Sequence, residues 1–489
     1  LMKLNQLFGS VPAIEIGGLA IDSRKVKPGD MYFCLEGMVN DGHAFVKDAV
    51  EKGAVCIVHS KELDEMPDGA VYVKVSDVNK VLNEIASRFY GNPSRTLTMF
   101  GVTGTNGKSS VTNIIQSLYS HKAPCGYIGT IAISFGDVRR EPDLTTPDPI
   151  LIHSTLAEMV DAGMKACAME VSSHGLELRR VESVDFDAAV FTNLTHDHLD
   201  FHGTMERYFA AKLKLFTSLK PDALAVINID DPYGEKIIDA CKVRTVTYGI
   251  AHDADYRADN IHLGVEETSF TLVHDGKEYP VTTNLVALFN VYNLLAAIAV
   301  LAETVMPLEE ILPHTAHIQQ VAGRIERICE GQPFNVIVDF AHTPDGMEKI
   351  MSYGRLITKE GCKMIAVFGS AGQRDTKKRP IFGELADKYC DMVILTEDDP
   401  RGEDPHEIAD EIRSGIHQTK NVFISDRYSA IRQAIESANE GDTILLLGKG
   451  DEDFMYHENG RVPWKGDHNA ARECIRRYYF GENSNDLEK

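Results

Sequence analysis

The chain has 489 residues, of which 43% are hydrophobic and 25% are charged. This composition is typical of a folded globular protein with roughly two to four domains, and it argues against a disordered or fibrous chain. The net charge of −23 disfavours binding to nucleic acids or to an anionic membrane. Any anionic ligand must therefore be held by local cationic sites that oppose the overall field.

No long uninterrupted apolar run occurs, so the sequence predicts no transmembrane helix. The first residues lack the apolar core of a signal peptide. Leu1 stands where an initiator Met is expected, and we attribute it to cloning or processing. Nine cysteines without a CxxC pair indicate reduced, mostly buried thiols. These features predict a cytoplasmic protein, for which a monomer is the simplest expectation.

The first stretch of the chain, residues 1–94, alternates short β-type runs with helical patterns. This alternation predicts a small α/β domain. The last residues, Gly91–Ser94, combine Gly, Asn and Pro, which is typical of a linker. The β-type runs are Met31–Leu35, Ala54–Val58 and Val71–Val75, and the helical segments are Ala44–Lys52 and Val78–Tyr90.

The second stretch, residues 95–322, opens with the apolar run Leu97–Val102, which leads into a glycine-rich turn. Helical patterns alternate with later β-type runs, and this order predicts a parallel α/β sheet. The segment Phe289–Thr304 is so apolar that we expect a buried helix. The later β-type runs are Ala166–Val171, Ala188–Phe191 and Leu224–Ile227.

The third stretch, residues 323–489, repeats the alternation of β-type runs and helical patterns. We predict a second doubly wound, Rossmann-like α/β domain. Its β-type runs are Val336–Asp339, Met364–Phe368, Met392–Thr396 and Thr443–Leu447.

The segment Gly101–Ser110 lies between a β-type run and the helical pattern Val111–Tyr119. Such a turn directs backbone N–H groups at an anion beside the positive end of a helix. Lys108 would neutralise phosphate charge, and the Ser109 hydroxyl would coordinate Mg²⁺. The strict GxxxxGK[ST] pattern requires Gly where this chain has Val102. The sequence therefore predicts a variant phosphate loop, with a ligand-free glycine-rich turn as the alternative.

Thr103–Ser109 resembles the phosphate loop shared by Mur ligases and folylpolyglutamate synthetases. Further segments, in the same order along the chain, resemble the Mur ligase family and its branch that adds the third residue of the peptidoglycan peptide. The resemblance implies three α/β domains: an N-terminal UDP-binding domain, a central ATPase domain on a parallel sheet, and a C-terminal Rossmann-like domain that binds an amino acid. The further segments are Asp22–Asp30, Thr145–Asp148, Met169–Gly175, Thr192–Asp200 and Asp398–Arg401.

The reaction that the resemblance implies joins an amino acid to the D-Glu of UDP-N-acetylmuramoyl-L-Ala-D-Glu during peptidoglycan precursor synthesis, and so serves cell-wall growth, cell shape and division. ATP phosphorylates the D-Glu side-chain carboxylate, and the incoming amine then displaces phosphate from the acyl phosphate. Two anions must meet, so Mg²⁺ and protein cations are needed to offset their repulsion. Closure of the third domain onto the second would assemble the site and exclude water.

The resemblance assigns ATP binding to the phosphate loop and to four later side chains. Asn293 resembles an adenine contact, although a polar residue in an apolar helix also suits an internal hydrogen bond. Arg324, beside a hinge at Gly323, resembles a phosphate contact, and Asp339 resembles a ribose contact. The full set is Gly104, Thr105, Asn106, Gly107, Lys108, Ser109, Ser110, Asn293, Arg324, Asp339 and His342.

Four side chains are expected to carry the chemistry. Glu170 ends a β-type run near the phosphate loop, where a carboxylate suits Mg²⁺. The resemblance makes His198 a ligand or neighbour of a second Mg²⁺, while His196 and His202 are expected to be structural. The catalytic set is Lys108, Glu170, His198 and Lys212, and the metal set is Ser109, Glu170, His198 and Lys212.

Lys212 falls within the apolar stripe of the helical segment Met205–Leu219, whereas Lys214 projects away from it. A lone ammonium on a buried face is costly. In the family this lysine is carbamylated, which turns the amine into an anion that helps to bind the metal, and we carry this over as a hypothesis. The alternative is a lysine whose stem lies along the core while its ammonium reaches water.

The resemblance also places two substrate pockets. Hydroxyl and guanidinium groups would hold the muramoyl-dipeptide, with neighbouring Arg179 able to take the place of Arg180. Ser23, Arg24 and Asn40–His43 resemble segments that cradle UDP, although Arg24 also suits a simple surface charge. The UDP-muramoyl-dipeptide set is Ser23, Arg24, Thr145, Thr146, Ser172 and Arg180, and the amino-acid set is Arg374, Asp398, Asp399, Arg401, Gly448 and Glu452.

The choice of amino acid rests on two opposing signals. Arg401 can bind a carboxylate with two N–H groups, which favours meso-diaminopimelate. Asp399 stands where the family usually has Asn, and Asp451 where it usually has His. Both departures add negative charge and favour L-lysine. We lean to meso-diaminopimelate and keep L-lysine second. Less favoured readings are a folylpolyglutamate synthetase, a different Mur ligase step and a catalytically silent nucleotide-binding protein.

Overall fold

Parallel strands joined by helices build three separate sheets along the chain, as the computed structural model of residues 2–37, 40–321 and 323–482 shows. Each sheet is covered by helices, so its central strands are buried and apolar. The predicted α/β class with three domains is confirmed. The residues outside the described part of the chain are 1, 38, 39, 322 and 483–489. Residue 322 belongs to the predicted boundary between the second and third domains.

The N-terminal sheet has four parallel strands, and the predicted runs match three of them within two residues. The helix Val78–Phe89 begins after Asp77, whose carboxylate accepts a hydrogen bond from Lys80 N at 3.0 Å. This helix packs on the helix Pro149–Asp161 of the central unit. The strands of this sheet, in spatial order, are Gly18–Ala20, Asp30–Phe33, Cys56–His59 and Val71–Lys74. The unit also contains a helix, Val46–Glu51, and a separate two-stranded sheet in which Met2–Lys3 pairs with Glu15–Ile16.

The central sheet has eleven strands, and its middle is parallel as predicted. Antiparallel strands extend it at both edges, which the sequence analysis did not predict. These edge strands alternate buried and exposed residues, so they lack the continuous apolar run of a buried strand. In spatial order the strands are Val138–Arg140, Ile133–Phe135, Cys125–Ile128, Ala166–Glu170, Thr98–Thr103, Ala188–Phe191, Leu224–Asn228, Arg244–Gly249, Tyr256–Leu263, Thr268–His274 and Lys277–Thr283.

Helices cover both faces of the central sheet. The helix Leu288–Thr304 is buried against one face, as its apolar sequence predicts. The helix Lys108–Tyr119 begins directly after the glycine-rich turn, three residues earlier than predicted. The other helices are Pro149–Asp161, Ser173–Glu177, Leu199–His202, Met205–Thr217, Gly234–Ala240 and Leu308–Ile311.

The C-terminal sheet has six strands, of which five are parallel and one edge strand is antiparallel. The four predicted runs are confirmed within one residue. In spatial order the strands are Glu326–Arg327, Asn335–Asp339, Thr443–Leu447, Met364–Phe368, Met392–Leu395 and Lys420–Phe423. The helices of this unit are Pro344–Ile357, Lys378–Tyr389, Pro405–Arg413, Arg427–Ser437 and Asp467–Cys474. A separate pair of strands joins Phe454–His457 to Gly460–Pro463.

A buried ion pair fixes the carboxyl ends of two C-terminal strands. Arg427 and Asp467 are both fully buried, and Arg427 Nη2 lies 2.6 Å from Asp467 Oδ2. The same guanidinium donates to the carbonyl oxygens of Glu397 and Leu447. Leu447 ends its strand and Glu397 lies two residues beyond the end of another, so the ion pair holds in place the loops that follow both strands.

The carboxyl ends of the central and C-terminal strands face each other across a cleft, the usual ligand position in open α/β sheets. Polar contacts cross this cleft: Asn106 Nδ2 donates to Asp345 Oδ2 at 2.7 Å, and His196 Nε2 lies 3.1 Å from Asp375 Oδ2. All nine cysteines are unpaired and six are buried, as predicted. In the described part of the chain, no helix has the length and apolarity needed to cross a membrane.

Candidate active site

Two cavities meet at the phosphate loop. The first, of about 530 Å³, lies between the loop, the end of the strand Ala166–Glu170 and the C-terminal sheet. The second, of about 870 Å³, lies between the loop, the helix Leu288–Thr304 and the helix Pro344–Ile357. Residues that line both, and so connect them, are Asn106, Gly107, Ser110, Arg324, Phe340, Ala341 and His342.

The phosphate loop needs its glycines for both backbone conformation and space. Gly104 has φ +155° and Gly107 has φ +87°, in the half of conformational space that favours glycine. A Cβ on Gly107 would lie 2.6 Å from Asn293 Oδ1, and one on Gly104 would overlap the Thr192 hydroxyl. The loop is therefore wedged between the strand end at Thr192 and the buried helix, with the helix Lys108–Tyr119 starting behind it.

The Lys108 ammonium folds back over the loop. Its Nζ donates to the carbonyl oxygens of Gly104 at 2.9 Å and Thr105 at 3.0 Å. Burial lowers its pKa, partly offset by the charges of Glu170 and Asp197. Such a cation, preorganised beside a set of backbone N–H groups, suits the terminal phosphates of a nucleotide.

Glu170 is a fully buried carboxylate at the head of the first cavity. Its Oε1 accepts hydrogen bonds from Tyr127 Oη at 2.7 Å and Thr130 N at 2.9 Å, and its Oε2 accepts one from Thr130 Oγ1 at 3.2 Å. These three hydrogen bonds fix the direction of the carboxylate. Lone pairs remain free on a carboxylate that accepts three hydrogen bonds, so it can still bind a cation.

The loop Asp197–His202 adds histidines with different roles. His198 has φ +53° and lies 3.2 Å from Asp197 Oδ2, and burial lowers its pKa to about 3. The neutral imidazole is the form that binds metals. His202 Nε2 lies 2.9 Å from Ser173 Oγ, which suits the structural role expected of it. His196 faces Asp375 of the C-terminal unit across the cleft.

Lys212 is buried under the phosphate loop, and it is not among the residues that line the first cavity. Its Nζ donates to Gly104 O at 3.0 Å, the same oxygen that Lys108 contacts, and lies 4.7 Å from the centre of the Tyr208 ring. Burial, and secondarily the Lys108 charge, lower its pKa well below the usual value. Lys214, in contrast, is half-exposed and paired with Glu177.

The predicted dipeptide contacts lie together on one wall of the first cavity. Thr146 Oγ1 donates to Glu170 O and accepts from Ser172 N, and Arg180 Nη1 donates to Thr146 O at 3.0 Å. Arg179 points away from the cavity, toward Asp77 at 2.8 Å and Glu182. The structure therefore distinguishes the two arginines: Arg180 lines the cavity, as do Thr145, Thr146 and Ser172.

The predicted UDP contacts lie away from both cavities, in the N-terminal unit. Arg24 is exposed, and its guanidinium makes a two-point contact with Asp22, at 2.9 Å and 2.8 Å. Ser23 is buried, and its carbonyl oxygen accepts from Lys52 Nζ. In this conformation the Arg24 side chain is engaged locally.

The four predicted nucleotide contacts beyond the phosphate loop, Asn293, Arg324, Asp339 and His342, line the second cavity. Asn293 donates to Asn290 Oδ1 at 3.0 Å, so its side chain both closes an internal hydrogen bond and abuts Gly107. Asp339 uses its two oxygens to accept from Ile325 N at 2.8 Å and Ala341 N at 2.9 Å, which ties the hinge segment to the strand end. Arg324 and His342 reach both cavities.

All six predicted amino-acid contacts line the first cavity: Arg374, Asp398, Asp399, Arg401, Gly448 and Glu452. Asp399 has φ +46° and Arg401 has φ +54°, an unusual backbone for non-glycine residues that is typical of functional sites. Arg401 Nη1 donates to Gly372 O at 3.2 Å, and its guanidinium lies 5.1 Å from the centre of the Tyr456 ring. Burial raises the pKa of Glu452 to about 7, against the effect of Lys449.

The charge argument for lysine fails on the structure. The Asp399 carboxylate is matched by Lys449, a fully buried cation whose Nζ lies 2.8 Å from Asp399 Oδ1 and 2.5 Å from Glu452 Oε2. Asp451 does not line the cavity; its backbone lies against the hinge residue Gly323. The two departures therefore do not combine to make the pocket more negative.

Two buried cations of the site, Lys378 and Lys449, were not among the residues predicted from the sequence. Both signals were present in the sequence. Lys378 follows Arg374 by four residues at the start of a helical pattern, and Lys449 lies between the assigned residues Gly448 and Glu452. The burial that distinguishes them from surface lysines becomes visible only in the folded chain.

Three domain-family models match the chain in the order of its three sheets. Residues 15–90 match the Mur ligase family catalytic domain, residues 102–301 match the Mur ligase middle domain, and residues 323–450 match the Mur ligase glutamate ligase domain. Together they cover most of the chain, including Thr103–Ser109 of the phosphate loop and every residue that lines the two cavities except Glu452.

Curated relatives are similar along almost the whole chain. A UDP-N-acetylmuramoyl-L-alanyl-D-glutamate–2,6-diaminopimelate ligase from Syntrophomonas wolfei subsp. wolfei is 40% identical, over 94% of this chain and 95% of its own. One of the same name from Caldanaerobacter subterraneus subsp. tengcongensis is 41% identical, over 93% of each chain.

Solved structures agree with the fold. A structure of a UDP-N-acetylmuramoyl-L-alanyl-D-glutamate–2,6-diaminopimelate ligase covers 98% of this chain and 99% of its own, with a TM-score of 0.70 and 28% identity. A crystal structure of MurF from Acinetobacter baumannii has a TM-score of 0.68 at 19% identity, over 97% and 98% of the two chains, and so supports the fold alone.

Proposed function

The chain belongs to the Mur ligase family, and we propose that it joins meso-diaminopimelate to the D-Glu of UDP-N-acetylmuramoyl-L-Ala-D-Glu in an ATP-dependent reaction of peptidoglycan precursor synthesis. The observation that carries this proposal is the first cavity. The phosphate loop, the Glu170 carboxylate, Arg180 and the arginine-bearing loops of the C-terminal sheet all line this one cavity.

The nucleotide would bind in the second cavity, with its phosphates at the loop that both cavities share. Asn293 and Asp339 would face the nucleoside, and Arg324 and Lys108 the phosphates. The terminal phosphate would then enter the first cavity, where Thr146 and Arg180 would hold the substrate dipeptide. This arrangement points the D-Glu carboxylate at the phosphorus.

The chemistry follows from this placement. A carboxylate oxygen attacks the terminal phosphorus, the bond to the bridging oxygen of ADP breaks, and an acyl phosphate forms. The amine of the incoming amino acid attacks the acyl carbon, the bond from carbon to the phosphate oxygen breaks, and inorganic phosphate leaves. Lys108 and Arg180 stabilise the negative charge that accumulates on the transferring group. Closure of the cleft would keep water from the acyl phosphate.

The donor set of the first cavity fits Mg²⁺. Ser109 and Glu170 offer hard oxygen ligands beside Lys108, with His198 near them. Among the described residues, no three His, Cys, Asp or Glu side chains form a ready metal cluster, which suits an ion that takes most of its ligands from phosphates and water. Ser109, Glu170, His198 and a carbamate on Lys212 would hold Mg²⁺, which supplies charge neutralisation when bound.

The amino-acid pocket favours a substrate with a second carboxylate. Arg401 and Arg374 offer two guanidinium groups in the cavity, while Lys449 balances part of the acidic cluster. Asp398, and Glu452 through the oxygen that does not accept from Lys449, would receive ammonium groups. The relatives named above are diaminopimelate ligases, and the lysine alternative is not favoured. The folate alternative is likewise not favoured.

The N-terminal unit would hold the UDP end of the substrate. We propose the functional units 1–94, 95–322 and 323–489, which the separate sheets support. Arg24 would have to release Asp22 to reach a diphosphate, a movement open to an exposed side chain. The dipeptide end would extend from there toward Arg180.

The test is orthophosphate release by the purified protein with ATP, Mg²⁺ and UDP-N-acetylmuramoyl-L-Ala-D-Glu. Parallel assays with meso-diaminopimelate, L-lysine and L-ornithine should show the highest kcat/KM for meso-diaminopimelate. A preference for L-lysine would contradict the proposed pocket. Phosphate release with a folate and glutamate, but not with the nucleotide sugar, would contradict the proposed function.

A further inference from the structure

Lys378 is a buried cation of the first cavity to which no role has been given above. It begins the helix Lys378–Tyr389, and the residue is 8% exposed. Its Nζ donates to His342 O at 2.9 Å. Among the described residues it forms no ion pair, so two of its three N–H groups are left for another acceptor.

The Lys378 side chain has no ion-pair partner among the described residues, but the centre of the Phe382 ring lies 5.7 Å from its Nζ and several carboxylates act on it electrostatically. Burial lowers its pKa, and the more distant carboxylates of Asp197, Asp398, Asp375 and Asp200 raise it. A buried ammonium with free donors is costly unless a ligand completes it. The free donors therefore indicate an anion site.

The position of Lys378 selects the anion. Its acceptor His342 lines both cavities, as do Asn106, Gly107 and Ser110 of the phosphate loop. Among the neighbouring charges, that of Asp197 has the largest effect on Lys378. Asp197 also acts on Lys108, which lines the same cavity. A group between the two lysines would sit at the passage from the nucleotide to the dipeptide, which is the path of the transferred phosphate.

We propose that Lys378 is a further catalytic residue, whose ammonium donates hydrogen bonds to the phosphoryl oxygens as the phosphate passes from ATP to the substrate carboxylate. This inference rests on the proposed function. The C-terminal unit carries Lys378, so closure of the cleft would complete the charge around the phosphoryl group. Lys108 would hold the same group from the central unit, and no proton leaves either lysine during the transfer.

The test separates acyl-phosphate formation from amide formation. The variant Lys378→Met keeps the length of the stem and removes the charge, and Lys377→Met is a matched control, since Lys377 is exposed and outside the cavity lining. Each protein is incubated with ATP, Mg²⁺ and the nucleotide sugar without amino acid, and the acyl phosphate is trapped with hydroxylamine. We expect Lys378→Met to slow hydroxamate formation about 100- to 1,000-fold, and Lys377→Met to leave it within about twofold.

If the wild-type protein is active, three results would overturn the inference. Hydroxamate formation at the wild-type rate, with a raised KM for meso-diaminopimelate, would assign Lys378 to amino-acid binding. An equal loss in both variants would show a general effect of charge. If Lys378→Met does not fold, Lys378→Arg takes its place. We expect Lys378→Arg to slow hydroxamate formation at least about tenfold with an unchanged KM for the amino acid, and a smaller effect would contradict the inference. A wild-type protein that releases no phosphate would instead contradict the proposed function, and this inference with it.

Discussion

Lys212 shows how burial prepares one side chain for modification. Its amine lies under the phosphate loop, without a carboxylate partner among the described residues, and its pKa is well below the usual value. A neutral amine is the form that reacts with CO₂, and the resulting carbamate would be an anion close to Lys108. Burial that is costly for an ammonium thus becomes favourable for a metal-binding group.

We expect Lys212→Ala to lower kcat at least about 100-fold, because it removes a group that helps to hold Mg²⁺. Bicarbonate should not rescue the variant, whereas acetate or another short carboxylate should restore part of the activity by filling the space. The matched control is Lys214→Ala, on the same helix but paired with Glu177 at the surface. Steady-state phosphate release measures both. Full activity of Lys212→Ala would rule out the carbamate.

Lys449 compensates the negative charge of Asp399 in the amino-acid pocket. It is fully buried between Asp399 and Glu452. Loss of the cation would leave two carboxylates buried together, so we expect Lys449→Met to lower the free energy of unfolding by about 3 kcal/mol or more. The double variant Lys449→Met with Asp399→Asn should recover part of the loss. Urea unfolding of the three proteins measures the effect, and equal stability of wild type and Lys449→Met would contradict the pairing.

At the scale of elements, the helix Pro149–Asp161 joins the N-terminal and central units and contains a buried histidine. His153 is fully buried, and both ring nitrogens lack a hydrogen-bond partner in the structure. Burial lowers its pKa to about 4, so the ring is neutral in the folded chain. An unfolded chain takes up the proton at a pH near the ordinary value of about 6.5.

Because the folded pKa of His153 is lowered, its contribution to stability is present above about pH 6.5 and is lost as the pH falls toward 4. Between pH 7.5 and 5 this one group should remove about 2 kcal/mol from the free energy of unfolding. His153→Leu should abolish that share of the pH dependence, which urea unfolding at the two pH values measures. An unchanged pH dependence in the variant would show that His153 is protonated in the folded protein.

At the scale of the whole molecule, the relative position of the central and C-terminal units completes the site. Contacts cross the cleft from Asn106 to Asp345, from His196 to Asp375 and from Asp200 to Arg374. The chain crosses between the units at Gly323, which has φ +67° and packs against the backbone of Gly450 and Asp451. This glycine is therefore needed for both its conformation and its size.

We expect Gly323→Ala to lower kcat/KM at least about tenfold and to change KM for both ATP and the amino acid, since a hinge residue affects closure of the whole cleft. A Cβ at this position would overlap the backbone of residues 450 and 451. Gly361→Ala is the matched control, because Gly361 also has a positive φ, +77°, but faces open space. Kinetics and small-angle scattering with ADP measure the effect. An equal loss of kcat/KM in the two variants would show that Gly323 has no specific role in closure of the cleft.

The sequence by itself determined which elements form. Continuous apolar runs such as Met364–Phe368 and Thr443–Leu447 became buried parallel strands, because such a run can be satisfied only with both faces covered. The glycine-rich turn and Lys108 identified the phosphate loop, since that chemistry depends on residues adjacent in the chain. The antiparallel edges of the central sheet escaped detection, because half-exposed strands carry a weaker apolar signal.

Only the tertiary structure decided which charges act together. It paired Lys449 with Asp399, separated Arg180 from Arg179, and placed Lys378 in the lining of the cavity that Lys108 also lines. Each decision depends on burial and on distances between residues far apart in the chain. An electrostatic effect changes severalfold between water and a protein interior, so the same charged residue has a different role once its surroundings are fixed.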